Sequence, residues 1–216
     1  MKFPNAIVFD FDGVILESTE IKTQAFVDIF SDETDHLDSI IRHHLENMGI
    51  SRHEKFRYIY KNILKRELTQ DHSEKLAQMF ALSVWKNILD CPEVPGIIDF
   101  LKMHSKNCLF FIASGTPEEE LKEVVKQRRL DNYFVGVYGS PRLKPEIIHD
   151  IIQKWNLKIN EMLFIGDALT DLNAARECNI SFVGRIAPTG NNFTNEDVIT
   201  IDDFRELPSF LNSSAS

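Results

Sequence analysis

Two aspartates close the first apolar run of the chain. AIVFDFDGVI sets Asp10 and Asp12 directly behind Ala6, Ile7, Val8 and Phe9. On a strand, residues two apart point to the same face, so both carboxylates would sit at one end of a buried element. Like charges there repel each other and lose hydration, and they need a cation or a shared proton to be tolerated. A hard ion such as Mg²⁺ suits oxygen donors of this kind. Other polar groups stand behind later apolar runs. Ser114-Gly115-Thr116 follows CLFFIA, Lys144-Pro145 follows a short run at 134–138, and Gly166-Asp167, with Asp171 four residues on, follows 162–165.

These groups can meet only if the runs are neighbouring parallel strands. From Pro92 onward the pattern alternates accordingly. Strands are expected at 108–113, 134–138, 162–165 and 180–183, with an edge strand at 198–201. Helices are expected between them: one opened by Pro95-Gly96 and running to His104, one capped by Thr116 with Pro117 at its first position and three glutamates in its first turn, and two at 145–155 and 170–177. Such alternation implies an α/β fold, a Rossmann-like parallel sheet with helices on both faces. Ligands bind such sheets beyond the carboxyl ends of the strands, at the switch point in strand order. Metal-ligating carboxylates, a small hydroxyl and amide cradle and one cation would converge there, which is an inventory for phosphoryl transfer.

Between the first strand and this alternating region lie four stretches with helical periodicity, at 19–30, 35–48, 51–64 and 73–89. Ser51 is expected to cap the third, with Glu54 completing a capping box. The expected organisation is an α/β core over 1–16 and 91–210, an inserted helical subdomain over 17–90, and a disordered tail over 211–216.

Composition narrows the partners. The 216 residues carry 24 Lys and Arg against 33 Asp and Glu, a net charge of −9. That balance disfavours nonspecific binding to nucleic acid or to an anionic membrane, though not a small anionic substrate. Cys91, Cys108 and Cys178 are odd in number and widely spaced, which fits a reducing compartment and neither a disulfide framework nor a zinc site. The N-terminal apolar run is too short for a signal peptide or a membrane span, so a cytoplasmic location is expected.

The four ordered motifs resemble those of the haloacid dehalogenase superfamily. DFDGV is similar to its first motif, Ser114 within ASGTP to the second, Lys144 to the third and GDALTD to the fourth. By that resemblance Asp10 is the nucleophile that forms an aspartyl-phosphate, and Asp12 is the acid and base serving the leaving oxygen and then water. Mg²⁺ would be held by Asp10, the Asp12 carbonyl and Asp167, with Asp171 in support, while Ser114 and Lys144 stabilise the phosphoryl oxygens. A carboxylate at Asp12 resembles the phosphotransferases rather than the dehalogenases. The insertion resembles the helical cap of the β-phosphoglucomutase and phosphoglycolate phosphatase group.

Within that cap, Gly49-Ile50-Ser51-Arg52 is similar to a loop whose arginine binds a distal acidic group. Arg52 is thus the first substrate-selecting candidate and Lys55 the second, with Gly115 and Thr116 beside the phosphate. Glu17 replaces the group's usual aspartate. Lys22 replaces a hinge histidine of the mutases, and that replacement favours a phosphatase of a small phosphomonoester, a sugar phosphate or phosphorylated acid, over a phosphomutase. A weakly catalytic binding module is the alternative from another class. The cap histidines are expected to be solvated, and Arg128-Arg129 to complement the dipole of the helix that they end.

Overall fold

The computed structural model describes residues 3–188 and 190–207. Six parallel strands form one sheet: β1 (Ala6–Phe9), β2 (Leu109–Pro117), β3 (Gly136–Ser140), β4 (Met162–Gly166), β5 (Ser181–Arg185) and β6 (Ile199–Ile201). Their order is β3-β2-β1-β4-β5-β6. Phe9 lies opposite Ile112 on one side and Ile165 on the other. The chain order therefore reverses between β1 and β4, and the crevice opens there.

The continuous apolar runs form strands because both faces of the sheet are covered. Eight helices are described: α1 (Thr19–Ile29), α2 (Leu37–Glu46), α3 (Arg52–Tyr58), α4 (Gln70–Asp90), α5 (Ile97–His104), α6 (Glu118–Gln127), α7 (Lys144–Trp155) and α8 (Leu169–Glu177). Ile7, Phe9 and Phe110 pack with Phe100 of α5 and Leu121 of α6 on one face. Ala6, Val8 and Phe111 pack with Ile148 of α7 and Ala175 of α8 on the other.

Helices α1 to α4 lie between β1 and α5 and have a hydrophobic cluster of their own, built on Phe26, Phe30, Phe56 and Phe80. The two connections that join this bundle to the core run side by side: Glu17 N–H donates to Pro92 O at 3.0 Å, and Val94 N–H donates to Ile15 O at 3.0 Å.

Several local expectations are corrected. The Ser51 side chain makes no capping bond, so the expected box does not form. Helix α3 instead widens into a π turn over Ile59–Ile63. Helix α4 begins three residues early because Thr69 accepts from His72 N–H at its start. Strand β2 runs on through Thr116, so Pro117 is the N-cap of α6 and not its first residue. Arg128 does complement a helix dipole, but that of α4: its guanidinium donates to Leu89 O at 2.8 Å and Cys91 O at 2.6 Å. The expected tail at 211–216 lies outside the described residues.

Candidate active site

Asp10 stands one residue beyond β1, where its N–H donates to Ile165 O at 2.9 Å and fixes it between β1 and β4. Its carboxylate, only 2% exposed, lies 3.1 Å from Lys144 Nζ at the start of α7. Lys144 also pairs with Asp171. The second Asp171 oxygen accepts from Ala168 N–H at 3.1 Å. Asp171 thus both holds Lys144 and closes the turn into α8.

Asp12 belongs to a different set of partners. Ser18 Oγ donates to its Oδ1 at 2.7 Å. Its Oδ2 pairs with Lys22 and accepts from Thr116 Oγ1 at 3.2 Å. The two carboxylates that the sequence sets side by side are thereby separated, one facing Lys144 and one facing the bundle. Gly13 follows with φ +76°, and a Cβ there would stand 2.1 Å from Asp167 Oδ2. Only glycine allows the chain to turn away from the strand at this point without striking Asp167.

Burial and charge act on these groups in opposite senses. Burial pushes the Asp10 carboxyl up to about 7 against the attraction of Lys144, with Asp171 and Asp12 adding repulsion. Asp167 is raised well above the usual carboxylate range by burial and by Asp10 and Asp171. Burial would raise Asp12 too, but the Lys22 ammonium and the hydrogen bonds from Lys22, Ser18 and Thr116 lower it instead. Burial opposes the charge of Lys144, yet Asp10 and Asp171 raise its pKa.

Asp10, Asp167 and Asp171 bring carboxylate oxygens within 4.8 Å of one another. Three buried carboxylates against the single ammonium of Lys144 leave negative charge to be balanced. A hard divalent cation such as Mg²⁺ fits both that charge and the all-oxygen donor set.

A cavity of about 60 Å³ lies above these residues. Asp10, Asp12, Ser114, Gly115, Thr116 and Asp167 line its floor, and Lys22, His44, Arg52 and Lys55 belong to its helical side. The sequence-predicted residues Asp10, Asp12, Ser114, Gly115, Thr116, Asp167, Arg52 and Lys55 therefore share one space, with Lys144 and Asp171 behind Asp10. Ser114 is buried and its Oγ accepts from Thr116 N–H at 3.1 Å. The register of β2 shifts between Ala113 and Pro117, a strand irregularity of the kind that re-aims groups beside a site. Gly115 is also a point of close approach to the bundle, since a Cβ there would stand 2.5 Å from Gly49 O.

Arg52 is placed in the cavity wall but is not a free cation. It pairs with Glu120 of α6 at 2.5 Å, donates to Ala77 O at 3.3 Å and stacks its guanidinium over Phe80 at 4.7 Å. The histidines are not uniformly solvated either. His44 is 4% exposed and stacks on Phe26 with ring centroids 4.3 Å apart, while His43 stacks on Tyr58.

Sequence reasoning also passed over Arg185, at the end of β5, which donates to Gly13 O at 3.1 Å and to both carboxylate oxygens of Glu17. The substitution of Glu17 for the usual aspartate was the available signal, since a longer carboxylate needs a partner further off.

Fold and site together define a buried, carboxylate-lined pocket at the switch point of a parallel sheet, with a helical bundle against it. Residues 7–185 match the family model of haloacid dehalogenase-like hydrolases, and the chain belongs to that family. It is 30% identical to phosphoglycolate phosphatase of Photobacterium profundum over a match covering 48% of this chain and 49% of that protein. It is 23% identical to phosphoglycolate phosphatase of Aliivibrio fischeri, with 79% and 78% covered. The chain thus spans about half the length of the first of these relatives.

Among solved structures it resembles a hydrolase from Pseudomonas syringae, with TM-score 0.80, 20% identity and coverage of 98% of this chain and 100% of the other. It also resembles a mutant of CbbY from Rhodobacter sphaeroides in complex with xylulose-(1,5)bisphosphate, with TM-score 0.75, 15% identity and coverage of 94% and 96%. At these identities the two structures share the fold.

Proposed function

We propose that the chain is a Mg²⁺-dependent phosphatase of small phosphomonoesters that works through an aspartyl-phosphate on Asp10. The observation that carries this reading is the division between the two carboxylates. Asp10 is held at the switch point beside Lys144, and Asp12 is turned toward Ser18, Thr116 and Lys22. A carboxylate oxygen of Asp10 attacks phosphorus, the bond to the leaving oxygen breaks, and that oxygen takes up a proton from Asp12. Asp12 must leave Lys22 and be protonated before this step, because the pair lowers its pKa. Asp12 then removes a proton from water as it attacks the same phosphorus. This second step releases inorganic phosphate and restores Asp10.

Lys144, the Ser114 hydroxyl and the backbone N–H of Gly115, with Thr116 beside them, suit the phosphoryl oxygens, whose charge must be met by fixed donors. Asp10, the Asp12 carbonyl and Asp167 would hold Mg²⁺, with Asp171 in support. The ion would neutralise charge between an anionic nucleophile and an anionic phosphate.

Residues 17–90 act as a cap over the core, with the core formed by 1–16 and 91–210. Thr170 Oγ donates to Met48 O at 2.6 Å, and the Arg52 and Glu120 pair joins α3 to α6, so the helical part rests on the site and limits substrate size. Phosphoglycolate phosphatase relatives favour a phosphorylated small acid over a sugar phosphate. The three cysteines are buried and unpaired, which fits the cytoplasm, and among the described residues no helix is long and apolar enough to cross a membrane.

The test is release of inorganic phosphate from a panel of phosphorylated metabolites, with Mg²⁺ and after chelation. Release that requires Mg²⁺ is expected. Rapid release in the presence of chelator would contradict the metal requirement, and silence across the panel would contradict the phosphatase reading.

A further inference from the structure

One cation in the cavity wall has no carboxylate against it. Lys55 is 4% exposed and lines the cavity above Asp10. Among the described residues no acidic group lies within ion-pair distance of it. Its contacts are the His44 ring nitrogen Nδ1 at 2.9 Å, His44 O at 3.1 Å and the face of Phe26.

The protonation of His44 follows from its other neighbours. Thr23 Oγ donates to Thr19 O at 3.0 Å, so it must accept from His44 Nε2, 3.2 Å away. That places the ring proton on Nε2 and leaves Nδ1 as an acceptor for Lys55. Burial, with Lys55 and Lys22 nearby, pushes the His44 pKa down to about 2. Lys55 is thus held by a neutral ring fixed through Thr23, and Asp12 and Asp167 act on its charge only from beyond ion-pair distance.

A buried ammonium with no carboxylate in direct contact is costly, and this one faces the space where substrate would lie. Arg52, the other α3 cation in the cavity wall, is already neutralised by Glu120. An ammonium has three donors. Two of Lys55's go to His44, which leaves one, enough for a carboxylate and few for a phosphate dianion.

We propose that Lys55, positioned by His44, receives a carboxylate carried by the phosphorylated substrate. This assignment rests on the phosphatase reading above and names the substrate class as a short phosphorylated hydroxycarboxylate. Arg52 belongs to the contact between cap and core and not to this subsite.

The test is the ratio of kcat/KM for phosphoglycolate to that for ethyl phosphate, two compounds with the same phosphoryl group and similar size. A ratio of about 100 is expected for the unmodified protein. Lys55→Met should bring it within a few-fold of unity. His44→Phe should lower it about tenfold through KM for the carboxylate substrate, and His44→Gln, which returns an acceptor, should restore most of the loss.

A ratio near unity in the unmodified protein, or an undiminished ratio in Lys55→Met, would overturn the proposal. If Lys55→Met fails to fold, the two His44 variants decide on the same ratio. If neither compound is hydrolysed the phosphatase reading fails, and calorimetric titration then decides. Tighter binding of phosphoglycolate that is lost in Lys55→Met upholds the subsite, and equal binding of both compounds overturns it.

Discussion

Asp10 and Asp12 are two residues apart and have opposite surroundings, and this contrast is the core of the site at the residue scale. Gly13 makes room for it. Gly13→Ala would drive a Cβ into Asp167 Oδ2 at 2.1 Å and strain a backbone at φ +76°. We expect Mg²⁺-dependent turnover to fall about 10- to 100-fold, measured as phosphate release over a range of Mg²⁺ concentrations. A rise in the Mg²⁺ needed for half-maximal rate is the expected signature, and wild-type behaviour would contradict the placement of Asp167.

Lys55 gives a second residue-scale prediction. Burial and the nearby Lys22 push its pKa down to about 7, against Asp12 and Asp167, which favour the charge, while Lys144 opposes it. His44, the titratable group that it touches, stays neutral throughout. An ammonium is charged below its pKa, so help to a substrate carboxylate is present at lower pH and fades as pH rises through about 7. The preference for phosphoglycolate over ethyl phosphate should therefore decline between about pH 6 and pH 8. The two substrates share every phosphate and aspartate titration, so their ratio isolates Lys55. Lys55→Arg, which keeps its charge, should flatten the profile, and an unchanged slope in that variant would contradict the assignment.

At the element scale the strands and helices of the core were largely legible in the sequence. CLFFIA and the runs at 6–9 and 162–165 have no polar alternation, and strands covered on both faces need none. The residues at their ends, Asp10, Ser114, Lys144 and Asp167, then meet through topology alone. Partnerships across long separations were not legible. Arg185 and Glu17 are 168 residues apart, Arg52 and Glu120 are 68 apart, and neither pair has a periodicity to reveal it. His44 was not legible as buried although Ile40 and Ile41 lie one turn before it on α2, because the groups that close over it, Phe26 of α1 and Lys55 of α3, come from other helices.

The Arg52 and Glu120 pair is the prediction that belongs to this scale. If it secures α3 against α6, Arg52→Ala, Glu120→Ala and the double variant should raise KM by similar factors, with a coupling of about 1–2 kcal/mol in a double-mutant cycle. Independent, additive effects would instead make Arg52 a substrate contact.

At the scale of the whole molecule, one buried side chain links β5 to the segment that follows β1. Arg185, near the C-terminal edge of the sheet, is buried and ties Gly13 and Glu17 to Asp202 O. It fixes the point where the chain leaves β1 for the cap. Arg185→Met would strand a partly buried carboxylate and two carbonyls, and should cost about 3 kcal/mol in chemical denaturation. A loss below about 0.5 kcal/mol would show the link to be dispensable.

The core, the proposed cap and the proposed metal site would serve one event, transfer of the phosphoryl group to Asp10. Borohydride reduction of protein quenched during turnover tests it most directly, because an acyl phosphate is reduced to the alcohol whereas a free carboxylate is not. Peptide mass spectrometry should find Asp10 converted to homoserine only when substrate and Mg²⁺ are present. Unmodified Asp10 under steady turnover, or conversion at another carboxylate, would contradict the account.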